Sequence, residues 1–165
     1  LKPYIQISEA FRRKQDTLHF IKKAEKDTLA VYKYPEGTLV DLNEADTTEL
    51  KKIPGIGSGI ARMIVAYRKR LGGFYDMAQL KEVNYVDEDM LRWFKLGNAP
   101  IHRINANKAG LDKLRSHPYM NFYQAKVIIE YRRKKGKLKS LSQLSLYEEF
   151  TEKDLERLSH YLAFD

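Results

Sequence analysis

Apolar residues recur at helical spacing in several short stretches of this chain. The clearest stretch has Ile60, Met63, Ile64 and Tyr67 along one face and ends at the glycine pair that begins at Gly72. This spacing is typical of an amphipathic helix, and the glycines are typical of its C-terminal cap. No segment shows sustained alternation of apolar and polar residues, which would indicate a strand. The pattern therefore predicts an all-α fold.

Paired polar residues mark the predicted starts of the other helices. In a capping box, a polar residue and a second one three positions later satisfy two backbone amides that have no partner within the helix. We expect four capping boxes: Asp46 with Glu49, Asp76 with Gln79, Ser140 with Gln143, and Thr151 with Asp154. One further helix is expected to begin after Asp87.

The chain also contains an internal repeat. An offset of 64 residues aligns Asn43 with Asn107, Pro54 with Pro118, and Arg68 with Arg132 without a gap. We interpret the two copies, residues 38–98 and 103–162, as tandem units of four short helices each. A short linker joins them. Residues 1–37 lie outside the repeat and are predicted to form a helix followed by an extended tether.

A cluster of three glycines precedes the longest predicted helix of the first copy. Gly55, Gly57 and Gly59 occupy alternate positions after Pro54. Glycine costs about 0.5–1 kcal/mol relative to alanine in a helix, so such a cluster normally marks a sharp turn or a close approach of another molecule. We expect positive φ at Gly55 and Gly57, in a tight turn between two helices.

The helix that follows this turn begins with unpaired amides at the positive end of its dipole. Such an arrangement favours anions, and phosphate above all. The alternative is a tight helix–helix turn that binds nothing. Basic residues that could add charge beside the loop are Lys51, Lys52 and Arg62.

The charge of the chain favours a polyanionic partner. Its 165 residues carry a net charge of +8, and the excess lies mainly outside the first copy. The basic run at the end of the second copy's long helix has two interpretations: an electrostatic footprint for nucleic acid, or an ordinary solvated helix end. The candidate contacts of the second copy are Arg115, Lys126, Arg132, Arg133, Lys134 and Lys135.

Nothing in the sequence indicates an enzyme. The chain has no cysteine, which excludes disulfides and thiolate metal sites, and its four histidines lack zinc-ligand spacing. The acidic run Asp87, Glu88 and Asp89 is more typical of a helix N-terminus than of a catalytic metal pair. No stretch is long and apolar enough for a membrane span.

Residues 43–83, NEADTTELKKIPGIGSGIARMIVAYRKRLGGFYDMAQLKEV, closely resemble the helix-hairpin-helix unit of ComEA-like competence proteins. The resemblance implies tandem double helix-hairpin-helix units of the SAM-like, RuvA domain 2-like fold. It also implies binding to double-stranded DNA without sequence preference. The amide donors to phosphate would lie in the hairpin 54–59 and the start of its helix. The matching amide donors are Gly55, Gly57 and Ile60, and the predicted phosphate site also includes Ser58 and Gly59 between them.

The resemblance further implies a monovalent cation, K⁺ or Na⁺, beneath the first hairpin. The matching carbonyl groups are those of Lys51, Ile53 and Ile56. The other hairpins depart from the family pattern. The family often has a lysine at the position of Gly59, VNYVDED replaces a second proline-glycine hairpin, and the hairpin 118–123 is degenerate.

Three aromatic residues lie in or beside the degenerate hairpin. Tyr119, Phe122 and Tyr123 could stack on a base or on a partner protein, but we expect them to close over the contact between the two copies. Given these departures from the family pattern, only the first of the four hairpins keeps the sequence of a phosphate site.

The sequence thus predicts a DNA-binding protein without enzymatic activity, in DNA uptake or DNA repair. Other uptake or processing proteins would be its partners. If the uptake role holds, the protein would lie outside the cytoplasm at the membrane; otherwise it would be cytoplasmic. The main alternative is a protein–protein interaction scaffold with a degenerate helix-hairpin-helix fold. A nuclease module that lacks its catalytic partner is a third.

Overall fold

The same order of elements occurs twice in the computed structural model, which describes residues 32–165. The first repeat comprises β1 (Val40–Asp41), α1 (Thr47–Leu50), α2 (Ser58–Leu71), a 3₁₀ helix (Met77–Glu82), α3 (Glu88–Leu91) and β2 (Phe94–Lys95). The second repeat comprises β3 (Ile104–Asn105), α4 (Leu111–Arg115), α5 (Phe122–Lys135), a 3₁₀ helix (Leu141–Gln143), α6 (Glu152–Ser159) and β4 (Leu162–Ala163). The helix predicted within residues 1–31 lies outside the described residues.

Short parallel strands join the two ends of each repeat. β1 pairs with β2 in the register Val40 to Phe94, and β3 pairs with β4 in the register Ile104 to Leu162. The prediction of a purely α-helical chain was wrong in this respect. Strands of two residues are too short to produce an alternating pattern, so the sequence carried no signal for them.

All four predicted capping boxes are confirmed. At Asp46, Asp76 and Thr151 the side chains of both members bond to backbone amides. At Ser140 the side chain of Gln143 accepts from the Ser140 amide (3.3 Å), and the Ser140 hydroxyl lies 2.7 Å from that of Ser142. Asp87 caps α3 as expected, through the amide of Met90. A fifth box, unpredicted, joins Asn121 and Gln124 at the start of α5.

Four turns of one design connect the helices within the repeats, and we number them hairpins 1 to 4. Each follows a fully buried leucine that precedes the turn by three residues. Each is closed by a backbone hydrogen bond from an amide to the carbonyl three residues earlier. These bonds run from Ile56 to Ile53 (3.2 Å), Val86 to Val83 (3.2 Å), Met120 to His117 (3.1 Å) and Phe150 to Tyr147 (3.1 Å).

The pairs that revealed the repeat perform the same structural tasks in both copies. The side chain of Asn43 exchanges two hydrogen bonds with the backbone of Phe74, and Asn107 does the same with Leu138. Because these asparagines tie the start of each repeat to the residues after its long helix, they fix the course of the chain around each core.

Hairpins 1 and 2 each contain one residue with left-handed backbone. In hairpin 1 it is Gly55, with φ +83°, and at the corresponding point of hairpin 2 it is Tyr85, with φ +65°. The prediction of positive φ at Gly57 was wrong: its φ is −92°, because it is the extended N-cap of α2. One left-handed residue is enough to turn the chain.

The two repeats pack against each other along a seam built from polar aromatic groups. Tyr161 of the second repeat is fully buried and belongs to the core of the first. Its hydroxyl donates to the carbonyl of Gly73 (2.9 Å) and accepts from Nε2 of Gln79 (2.8 Å). The Gln79 amide also donates to the hydroxyl of Tyr119 (2.8 Å). These bonds satisfy the buried polar groups of the seam, so the two repeats form one packed unit.

Tyr85 provides a test of the hairpin geometry. Its side chain is 80% exposed, so it contributes little packing, whereas left-handed backbone costs a residue with a Cβ roughly 1–2 kcal/mol. We expect Tyr85→Gly to raise the free energy of unfolding by up to about 1 kcal/mol in urea titrations. Tyr85→Val, which is β-branched, should lower it. A valine variant as stable as the glycine variant would contradict this geometry.

Candidate nucleic-acid interface

Hairpin 1 presents bare backbone to solvent. Gly55, Gly57, Ser58 and Gly59 are all exposed, while Ile56 between them is fully buried and anchors the loop. α2 begins here, and its N-cap Gly57 makes no side-chain capping bond. The first amides of a helix have no partner within it, so those of Ser58, Gly59 and Ile60 can donate hydrogen bonds to an external anion.

Two of the three glycines are not required by the fold. A Cβ added to Gly57 or Gly59 would meet no heavy atom within 4 Å, and neither residue has positive φ. Gly55 differs, because it has φ +83° and an added Cβ would lie 3.2 Å from the terminal methyl of Met90. The fold therefore accounts for Gly55, whereas Gly57 and Gly59 leave room for something to approach the backbone.

At the other three hairpins the protein caps the following helix with its own side chains. Asp87 accepts from the amide of Met90 (3.0 Å), Asn121 from that of Gln124 (2.9 Å), and Thr151 from that of Asp154 (3.2 Å). These capping groups occupy the place of an external anion. Among the four hairpins, hairpin 1 alone leaves this place open.

Basic groups surround hairpin 1. Arg62 lies one turn into α2, exposed, with its Nε donating to the carbonyl of Ser58 (3.2 Å). The ammonium of Lys52 lies over the ring of Tyr34, 5.6 Å from its centroid. Lys51 is half-buried at the end of α1. Of the predicted basic residues of the first repeat, Arg62 thus bonds directly to a residue of hairpin 1.

The three carbonyl groups predicted to hold K⁺ or Na⁺ accept hydrogen bonds from a lysine instead. Nζ of Lys33 lies 2.6 Å from the carbonyl oxygen of Lys51, 3.1 Å from that of Ile53 and 3.3 Å from that of Ile56. Sequence reasoning missed Lys33 because it precedes the repeat and belongs to no recognisable motif. The carbonyls converge as predicted, but the positive charge beneath the hairpin belongs to the protein.

Arg132, one of the predicted phosphate contacts, has a structural role within its own repeat. Its Nη1 donates to the carbonyl of Ala109 (2.6 Å). The aligned residue Arg68 donates in the same way to the carbonyls of Leu42 (2.9 Å) and Ala45 (2.8 Å). Both guanidinium groups tie a long helix to the first turn of their own repeat, which explains why the repeat contains an arginine at this position.

The remaining bases of the second repeat are exposed but partly paired. Arg115 bonds to Asp112 (2.9 Å). Lys126 and Lys134 flank Glu130 at 3.8 and 3.4 Å. Lys135 lies over the rings of Tyr131 and Tyr147, and Arg133 next to it is exposed. Surface pairs of this kind contribute at most about 1 kcal/mol and exchange readily for a phosphate.

Three of these bases lie at the C-terminal end of α5. Arg133, Lys134 and Lys135 end α5, a helix of 14 residues and hence about 21 Å long. They lie at the opposite end of that helix from hairpin 3, which packs in the seam. The predicted contacts of the second repeat are thus spread over the end of α4 (Arg115), the N-terminal half of α5 (Lys126) and the C-terminal end of α5 (Arg133, Lys134 and Lys135).

Hairpin 3 is committed to the seam. Tyr119, which aligns with Gly55, donates its hydroxyl hydrogen to Glu82 (2.8 Å), and Arg157 lies 4.8 Å from its ring centroid. Burial, together with the neighbouring carboxylate, raises the pKa of Tyr119 to about 12. The prediction that Tyr119 closes over the contact between the copies is confirmed. For Phe122 and Tyr123 it was wrong, because they are 45% and 68% exposed on the first turn of α5.

His117 is buried in the seam as a neutral imidazole. Its Nε2 lies 3.0 Å from the carbonyl oxygen of Leu71, and its Nδ1 accepts from the amide of Tyr119 (3.2 Å). A proton on Nδ1 would face that amide. Burial lowers the pKa of His117 from its ordinary value of 6.5 to about 4, and the positive charges of Arg70 and Lys113 lower it further.

Comparison with known proteins agrees with this architecture. A family model described as "Helix-hairpin-helix motif" matches residues 36–93 and 100–163, the larger part of the chain. The chain belongs to the helix-hairpin-helix family, whose motif points to nucleic-acid binding.

The curated relatives share one name, "Endonuclease/exonuclease/phosphatase family domain-containing protein 1". The protein of Mus musculus is 27% identical over 154 residues, and the match covers 73% of this chain and 27% of that protein. The Xenopus laevis protein is 25% identical over 146 residues, covering 73% and 26%. The chain thus spans about a quarter of the length of these relatives. No solved structure gives a significant match.

No helix within residues 32–165 has the length and apolarity needed to cross a membrane. In the same range, no three His, Asp or Glu side chains are grouped as metal ligands.

The state of His117 predicts how stability depends on pH. Because its pKa is lower in the folded protein than in the unfolded chain, the folded state loses stability as pH falls from about 6.5 to about 4. The loss reaches about 3 kcal/mol over that window. Urea titrations at a series of pH values should detect it.

His117→Gln should abolish most of this dependence, because a neutral amide can also donate and accept. The exposed His102→Gln is the matched control and should keep it. An unchanged slope between pH 6.5 and 4 in His117→Gln would show that another group causes the loss.

Proposed function

We propose that this protein binds double-stranded DNA without sequence preference, through the backbone amides of hairpin 1. The observation that carries the proposal is the open start of α2. The free backbone amides at the N-terminus of a helix bind phosphate oxygens through hydrogen bonds and the helix dipole. They contact the backbone of DNA and no base edge, so they position the protein without reading sequence.

The form of the loop supports a phosphate in particular. Gly57 and Gly59 add no side chain between the amides and solvent, and the fold does not require glycine at either position. A phosphate group is bulky and tetrahedral, so it reaches backbone amides only where side chains do not shield them. Arg62 and Lys52 are within the same region and add positive charge.

Hairpin 2 opposes such binding. Its helix begins with Asp87, Glu88 and Asp89, and Asp87 already caps the helix. Glu88 pairs with Lys81 (2.7 Å), and within residues 32–165 neither aspartate has an ion pair. A phosphate would meet these carboxylates there. We therefore assign the phosphate contact of the first repeat to hairpin 1 alone, and a long-range electrostatic contribution to the basic end of α5.

We also propose that the chain acts by binding and not by catalysis. The printed name of the relatives includes an endonuclease/exonuclease/phosphatase domain, and a module that holds DNA regardless of sequence would suit an enzyme that acts on many DNA sequences. DNA repair is one setting for such a module. The resemblance to ComEA-like proteins supports DNA uptake as another.

The rival function is an interaction scaffold. Three of the four hairpins are capped by their own side chains, and Phe122 and Tyr123 form an exposed aromatic pair with ring centroids 5.6 Å apart. A scaffold would bind a partner protein through such a surface and would not need the bare amides of hairpin 1. The two functions therefore differ in their response to changes at Gly57.

The salt dependence of binding is the first test. Contact with about six phosphates would lower the logarithm of the association constant by about 5 per tenfold increase in salt. We expect this slope for a labelled random-sequence duplex in fluorescence anisotropy, with little difference between sequences. Lys134→Gln should reduce the slope by up to about 1. Absence of binding at low salt would favour the scaffold.

The second test fills the open N-cap. Gly57→Asn supplies a side-chain acceptor for the α2 amides, as Asn121 does at hairpin 3. It should increase the free energy of unfolding by a few tenths of a kcal/mol and weaken duplex binding at least tenfold, because the internal acceptor competes with phosphate and obstructs it. Anisotropy and urea titration measure the two effects separately.

Gly110→Asn is the matched control. Gly110 is the N-cap of α4, also has no side-chain capping bond, and an added Cβ there would also meet nothing within 4 Å. This variant should gain similar stability and keep its affinity for DNA. Equal affinity of the Gly57→Asn and Gly110→Asn proteins would exclude hairpin 1 from the interface.

A further inference from the structure

The most unusual contact of hairpin 1 lies beneath the loop. Nζ of Lys33 lies 2.6–3.3 Å from the backbone carbonyl oxygens of Lys51, Ile53 and Ile56. One ammonium group therefore donates hydrogen bonds to three carbonyls. Those carbonyls belong to the end of α1 and to the turn itself. Their dipoles converge on one point, so without a positive charge there they would repel one another.

The segment around Lys33 is held in place by independent contacts. The amide of Tyr34 donates to the carbonyl of Lys52 (2.8 Å). The ring of Tyr34 packs against the core of the first repeat and lies beneath the ammonium of Lys52. Because the next residue is fixed, the side chain of Lys33 has a defined starting point and a single direction toward the carbonyls.

A ring of carbonyl oxygens that stabilises an ammonium is also a ligand set for a monovalent metal ion. K⁺ and Na⁺ prefer uncharged oxygen donors of this kind and exchange rapidly with solvent. A tethered lysine differs from them in one respect: its local concentration does not depend on the salt outside. The hairpin therefore keeps its shape in any ionic medium.

We propose that Lys33 is the internal cation of hairpin 1. Its ammonium occupies a monovalent cation site formed by the carbonyls of Lys51, Ile53 and Ile56, and it makes the hairpin independent of dissolved K⁺ or Na⁺. A second consequence rests on the proposed function: the charge beneath the loop favours a phosphate above it, so DNA binding is also independent of which monovalent cation is present.

The test compares three chloride salts at one ionic strength: potassium, sodium and choline, whose cation is too large for the carbonyl ring. The thermal midpoint of the wild-type protein should be the same within about 1 °C in all three. Lys33→Met keeps the aliphatic length and removes the charge. Its midpoint should be lower in choline and should rise by several degrees as K⁺ or Na⁺ fills the vacated ring.

Duplex binding by Lys33→Met should follow the same order. We expect at least a fivefold loss of affinity in choline and substantial recovery in potassium or sodium. Lys52→Met is the matched control, because it removes one charge from beside the same hairpin. The ammonium of Lys52 lies over the Tyr34 side chain and bonds to none of the three carbonyls. This variant should weaken binding equally in all three salts. Lys33→Gln also removes the charge but keeps a polar side chain, and it should show the same dependence on the cation as Lys33→Met.

A wild-type protein whose thermal midpoint depends on K⁺ or Na⁺ would overturn the proposal, as would a Lys33→Met protein indifferent to the cation. The thermal measurement requires no DNA. If Lys33→Met shows the cation dependence and no variant binds DNA, the proposed function fails while the internal cation stands.

Discussion

Every helix begins with amides that have no partner within the helix, and the four hairpins of this protein answer that constraint in different ways. Hairpins 2, 3 and 4 place a carboxylate, an amide or a hydroxyl over the amides. Hairpin 1 places nothing there, since Gly57 has no side chain. The four turns share one backbone design, so a single residue in each decides whether the turn is closed or available to an anion.

The seam explains one difference between the hairpins of the two repeats. Tyr119 stands where hairpin 1 has Gly55, and its hydroxyl bonds to Gln79 and Glu82 of the first repeat. His117, two residues earlier, bonds across the seam to Leu71. At the position of Gly55, the second repeat therefore has a side chain that packs the two repeats into one unit.

The sequence predicted most of what depends on local chemistry. The repeat, the four capping boxes and the open glycine hairpin follow from residues that act on their immediate neighbours. It could not show contacts that depend on tertiary partners: Arg132 lies in a basic run, and nothing local indicated its bond to a carbonyl more than twenty residues away. Lys33 and Tyr161 gave no signal at all, since neither an internal cation nor a shared core residue has a local pattern.

The seam has a further consequence for binding. Repeats joined by a flexible linker would have to lose rotational and translational freedom a second time to place both basic surfaces on one polyanion. Here Tyr161 and Gln79 have already fixed the first repeat against the second during folding. Hairpin 1 and the end of α5 are therefore held at one fixed separation, and a polyanion that contacted both would need charges at that spacing without any further loss of freedom between the repeats.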